Sequence, residues 1–134
     1  MPSPTALTIY VFGISSLAAG IVNLINPSSA LSTFSLPFEA LPAVNGNSLA
    51  AIAMGIYYPL LAYQENRAFF MFTIPMRCLT ATVFVRQGGN WKIAGLWEGG
   101  GAVLTMLALV WEAWSAAAVG KHGNAEWKGN KRDD

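Results

Sequence analysis

Arg77 and Glu98 are the residues whose types and positions invite chemistry. Arg77 stands near the middle of an apolar run, about nine residues from either end, where placing an arginine costs roughly 2.5–3.5 kcal/mol on insertion scales. Such a charge needs a partner, and Glu98, inside the next apolar run, is the nearest acid in membrane depth. A carboxyl group in that setting can serve as a general acid or base, with the guanidinium setting its charge state or holding an anionic intermediate. The same pair can also do no more than fix helix register. Pro75, two residues before Arg77, cannot donate a backbone hydrogen bond, which predicts a kink and open space beside the arginine.

Asn23, Asn45 and Asn47 lie toward the same half of the membrane as Glu98 in an antiparallel four-span chain. Asparagine there caps or bridges helix ends; in the functional reading these three orient substrate oxygens or a water. Trp97, next to Glu98, is expected to wall a pocket or face a developing cation. Trp91, Trp111 and Trp114 flank the last run and fit interfacial belts. Glu112 falls on nearly the same helical face as Glu98 but near the opposite surface, so the two carboxylates are not expected to act together.

The elements that carry these residues are hydrophobic helices. Of 134 residues, 54% are hydrophobic and 11% charged, with net charge +1; soluble domains carry roughly a quarter charged residues. The first charge is Glu39, and none lies between it and Glu65. Four runs are long enough to cross a bilayer, which needs about 20 apolar residues: Thr5 to Ile25, Val44 to Tyr63, Ala68 to Val85, and Trp91 to Trp114. Sustained period-two alternation is missing, and open sheet edges are not tolerated in lipid. The expected fold is therefore all-α, a four-helix transmembrane bundle over residues 1–119 followed by a polar, partly disordered tail over 120–134. Met1 to Thr5 holds no basic residue and the first apolar run outlasts a signal sequence, so it reads as a retained span. The connection from Asn26 to Pro42, with Leu31, Phe34, Leu36 and Phe38, is expected to lie on the membrane surface or fold back over the bundle. Arg67 and the tail residues Lys121, Lys128, Lys131 and Arg132 outnumber Arg86 and Lys92, which orients both termini toward the cytosol. Small residues four apart, Ser16 and Gly20, Ala51 and Gly55, Gly95 and Gly99, mark helix contacts.

Several function classes lose support. Nothing in the charge suggests nucleic acid. Cys78 is single and His122 stands alone in the tail, so no metal site is expected. Gly99-Gly100-Gly101 lacks the strand and lysine of a phosphate loop, and no cofactor is expected.

The stretch from Phe12 to Trp111 resembles a small family of four-helix integral membrane proteins of bacteria and fungi, known as a domain of unknown function. The resemblance rests on Leu17-Ala18-Ala19-Gly20, the Asn26-Pro27 stop, Phe34-Ser35-Leu36-Pro37, and Asn45-Gly46-Asn47-Ser48-Leu49-Ala50 through Gly55. Family members often carry Arg-Asp where this chain has Asn47 and Ser48. The resemblance implies a multi-pass protein, and association of some fungal members with natural-product pathways implies secondary metabolism. The resulting expectation is a cofactor-independent membrane enzyme, in the endoplasmic reticulum, acting on an apolar polyketide or terpenoid. Its reaction would be acid–base epoxide opening by hydrolysis or cyclisation, or isomerisation, with Glu98 and Arg77 catalytic and Asn23, Asn45, Asn47 and Trp97 binding substrate. Expected partners are that apolar small molecule and membrane lipid, with homo-oligomer formation open. The alternative is a non-catalytic lipid-binding or scaffold protein, and a transporter comes third because four spans are few for alternating access.

Overall fold

The computed structural model describes the backbone of residues 1–130 and the side chains of residues 1–118. Among the described residues the regular elements are all helices, with no strand: α1 (Pro4–Ile25), α2 (Pro27–Thr33), α3 (Leu41–Tyr63), α4 (Arg67–Gln87) and α5 (Trp91–Asn130), plus a short 3-10 turn at Phe38–Ala40. Three helices among the described residues are long and apolar enough to cross a membrane: Pro4–Ile25, Arg67–Gln87, and Trp91–Ala118 within α5. Helix α3 matches them in length, but Asn45, Asn47, Tyr57, Tyr58 and Pro59 dilute its apolar character. The side chains of the tail from Gly120 onward, expected to be partly disordered, lie outside the described residues.

Helix starts follow local chemistry. The Ser3 hydroxyl accepts from the Ala6 N–H at 3.0 Å, and Pro4 occupies the first turn of α1, where its missing N–H costs nothing. Asn66 caps α4 in the same way, accepting from the Phe69 N–H at 3.0 Å. Asn26-Pro27 ends α1 and starts α2. α4 stays continuous as a helix through Pro75. Positive φ at Gly88 and Gly89 turns the chain from α4 into α5.

Two helix pairs make up the bundle: α1 against α3, and α4 against α5, joined chiefly where α1 meets α5. Small residues set the close approach. The Ser16 hydroxyl donates to the Ala51 carbonyl at 3.1 Å. A methyl group added at Gly55 would collide with the Leu17 backbone, one at Gly20 would sit 2.7 Å from the Ser48 carbonyl oxygen, and one at Gly95 would sit 2.7 Å from Val85. Lipid is as apolar as leucine, so backbone proximity and packing supply the association energy. The connection after α1 folds back over the bundle: Phe34 stacks on Trp91 at 4.3 Å, and the Asn90 amide donates to the Thr33 carbonyl at 2.6 Å.

The fully buried apolar core is small, centred on Ala6, Ile9, Ala62 and Phe70. Large apolar side chains instead point outward, including Ile14, Val22, Phe72, Leu79, Leu107 and Val110. Exposed apolar area on this scale is unfavourable in water and ordinary against lipid.

Candidate functional site

Arg77 leaves α4 at mid-helix and turns into the bundle, where its side chain is only 3% exposed. Its Nε donates toward the Glu98 Oε2 across 3.4 Å. That is longer than the roughly 2.7–2.9 Å of a tight charge-assisted bond, so Glu98 compensates charge more than it anchors the group. Below the guanidinium lies the Phe12 ring of α1, whose centroid is 3.5 Å from Cζ. A cation over an aromatic face in a desolvated setting is worth about 2 kcal/mol. Phe12 is itself held by Trp97, stacked at 5.9 Å, and by Tyr58 at 5.5 Å. The Tyr58 hydroxyl accepts from the Thr73 hydroxyl at 3.2 Å.

Glycine at position 101 makes room for this arrangement. A Cβ there would fall on the Arg77 Nη2 itself, whereas one at Gly100 would meet nothing within 4 Å. The neighbouring triplet residues thus differ: Gly101 seats a side chain, and Gly100 is open. Nη1 and Nη2 find no hydrogen-bond acceptor among the described residues.

A cleft of about 370 Å³ lies beside the guanidinium, lined by Leu7, Thr8, Val11 and Phe12 of α1, Arg77 of α4, and Leu96, Trp97, Gly100, Gly101 and Leu104 of α5. Its volume sits at the lower end of the ~300–1,000 Å³ of small-molecule sites. Its walls are apolar, and Leu7, Val11, Leu96 and Leu104 are each more than half exposed on the outer surface. The cleft therefore opens sideways, onto the exposed apolar surface of the bundle.

The structure brings Arg77, Glu98 and Trp97 together and leaves the asparagines apart. Asn23, Asn45 and Asn47 do not line the cleft. Asn23 is 11 residues beyond Phe12 on α1, about 16 Å along the axis at 1.5 Å per residue. Asn23 and Asn45 are half-buried, Asn47 is exposed, and the Asn45 Oδ1 is buried without a donor among the described residues. Phe12 and Gly101 are the site residues that sequence reasoning missed. An aromatic in an apolar span and a glycine in a glycine run carry no signal until a guanidinium lies against both.

A second polar cluster holds the other end. The Glu65 carboxylate accepts from the Ser3 N–H and the Ser3 hydroxyl, both at 2.7 Å. Glu112 accepts from the Thr5 N–H at 2.8 Å and pairs with Arg67 at 2.5 Å. These bonds tie the start of α1 to the α3–α4 turn and to α5. The Ser3 N–H and hydroxyl together hold the Glu65 carboxyl below its ordinary range. Glu65 also has φ of 49°, in the left-handed region at the end of α3. The Asn66 N–H bonds the Leu61 carbonyl and the Glu65 N–H bonds the Ala62 carbonyl, a Schellman closure in which glycine is the usual occupant.

No family model, curated protein or solved structure matches the chain.

Proposed function

We propose that this chain is a four-span membrane protein that takes an apolar small molecule from the bilayer into the cleft beside Arg77 and acts on it by acid–base chemistry without a cofactor. The observation that carries this reading is a buried guanidinium with two unpartnered nitrogens, on the wall of an apolar cleft open to the exposed apolar surface. Intramembrane ionisable residues that cost this much mark functional sites by default. In this reading Arg77 polarises an oxygen of the substrate. Glu98 keeps the guanidinium compensated and gives or takes the proton in epoxide opening, cyclisation or isomerisation of a polyketide or terpenoid. Trp97 and Phe12 form the aromatic wall.

Membership of the four-helix family that the chain resembles, a site in the endoplasmic reticulum and a place in secondary metabolism belong to the same proposal. So does the topology, with α3 as the fourth span and both termini cytosolic. The Ser3–Glu65 and Thr5–Glu112 contacts support it, since they put the N-terminus beside the α3–α4 turn and the later part of α5. In intact microsomes, tags on both termini should be reached from the cytosolic side and a cysteine placed at Gly89 should not. Opposite accessibility of the two termini would sink the topology.

A second reading, a lipid-binding protein without catalysis, is favoured by one observation: Glu98 does not line the cleft. Glu98→Gln separates the two. It keeps the shape of the side chain and removes the titratable proton, so turnover of an epoxide or polyene substrate should fall by roughly 10²–10⁴-fold if Glu98 moves a proton. A folded variant with wild-type turnover would assign Glu98 to positioning alone.

A further inference from the structure

The chemistry of the ligand's polar end can be read from how Arg77 is compensated. An arginine presents five N–H donors in a rigid plane and cannot shed its charge. Here the Nε edge faces Glu98, one face rests on Phe12, and the Gly101 backbone crowds Nη2. What remains are the N–H groups of Nη1 and Nη2, buried, without an acceptor among the described residues, on a side chain that lines the cleft. Buried donors of a charged group are expensive to leave unpaired. With Glu98 ionised, however, the Arg77–Glu98 pair is neutral as a unit. A carboxylate or phosphate at the η nitrogens would add a second anion next to Glu98 in a setting with little screening, and like charges in such a site disfavour one another. An uncharged acceptor satisfies the donors without that penalty.

We infer that the cleft binds an uncharged amphiphile whose acceptor oxygen, a ketone, ester or epoxide oxygen, receives hydrogen bonds from Arg77 Nη1 and Nη2 while its apolar body lies between α1 and α5. The inference rests on the cleft reading given under Proposed function and names its ligand class. The apolar body runs past Leu7 and Val11 on one side and Leu96 and Leu104 on the other. The span from Leu96 to Leu104 is about 12 Å of helix, which suits a medium-length chain or a single fused ring system rather than a full phospholipid. Thr8 lines the same cleft but already shares its hydroxyl with Thr105 at 3.0 Å and donates to the Thr5 carbonyl at 2.8 Å. Arg77 therefore carries the buried, unpartnered donors at this site. Thr8 contributes wall.

The test uses the full chain in nanodiscs and measures retention of radiolabelled 2-undecanone, decanoate and undecane over empty nanodiscs, at matched mole fraction in the bilayer. The ketone should be retained about tenfold or more above both the alkane and the carboxylate, the scale of one hydrogen bond to a charged donor. Arg77→Met should reduce the ketone to the level of the alkane. Glu98→Gln, which leaves the arginine charge uncompensated, should move the preference toward decanoate; a purely structural pair would produce no such reversal. If either variant does not fold, the ranking of the three probes on the wild type decides the matter alone. Equal retention of ketone and alkane by the wild type, or preference for decanoate, overturns the inference and leaves an apolar cleft standing. Retention of none of the three probes overturns the cleft reading as well.

Discussion

Replacing Arg77 and Glu98 by leucine, singly and together, should produce an asymmetric cycle. Breaking a buried ion pair by removing one partner costs about 3–5 kcal/mol, chiefly because the remaining charge is left buried. The two partners differ in how they escape that cost. Without Arg77, the Glu98 carboxyl can take a proton and become neutral. Without Glu98, the Arg77 guanidinium stays charged at any accessible pH, on a side chain 3% exposed that already carries two unpartnered nitrogens. Arg77→Leu further relieves the roughly 2.5–3.5 kcal/mol of holding an arginine at mid-membrane, which offsets the lost contact with Phe12. Glu98→Leu should therefore fall in the 3–5 kcal/mol range, Arg77→Leu well below it, and the double variant should recover most of the larger loss. The coupling energy should exceed about 1 kcal/mol, against the ~0.5 kcal/mol within which independent sites add. Reversible unfolding in mixed micelles, titrated with SDS and followed by circular dichroism, reads all four corners. Additive losses would refute a direct pair, and an Arg77→Leu variant less stable than Glu98→Leu would refute the charge argument.

Gly101→Ala should destabilise by about 1–3 kcal/mol, as overpacking does, because its methyl would take the place of Arg77 Nη2; Gly100→Ala, with open space at its Cβ, should be neutral or slightly stabilising, and equal effects in the same unfolding assay would argue against the seat at Gly101. The Ser3–Glu65 contact should show as a pH effect: the folded carboxyl titrates below its unfolded value, so its stabilisation is present above about pH 4.3 and is lost as pH falls through the folded pKa. Wild type should thus exceed Glu65→Gln in stability at neutral pH and lose that advantage in acid, and a difference that persists unchanged at pH 3 would contradict it.

The pair at the centre of the bundle was readable from sequence because an arginine in an apolar helix has few ways to exist. Span arithmetic placed Glu98 at a matching depth, and the structure puts the two side chains together. The same arithmetic resolves only halves of a membrane. It grouped Asn23, Asn45 and Asn47 with Glu98, although Asn23 stands 11 residues up α1 from the ring that supports Arg77, and Asn45 and Asn47, near the start of α3, do not line the cleft. The cleft itself had no sequence signature. It exists because α1 and α5 meet above a glycine, and Phe12, Leu96 and Leu104 look like any lipid-facing side chains until that contact is known. Likewise the Ser3–Glu65 and Arg67–Glu112 contacts join positions far apart in the chain, with Glu112 noticed only as a charge near an interface. The helices were the most readable level: each expected span corresponds to a helix with ends within a few residues, except that α5 continues past Trp114 and the connection after α1 contains a helix of its own.

The most direct test of the account is where a bilayer-dissolved apolar molecule meets the protein. An aliphatic diazirine photoprobe bearing a ketone, applied to the chain in nanodiscs and mapped by peptide mass spectrometry, should label Leu96, Trp97 and Leu104 in a saturable way that unlabelled 2-undecanone competes. Leu107 is 56% exposed yet lines no part of this cleft, so it should show only weak, non-saturable labelling. Labelling spread evenly over Leu107 and the cleft residues, with no competition, would contradict the claim that the groove beside Arg77 is a binding site.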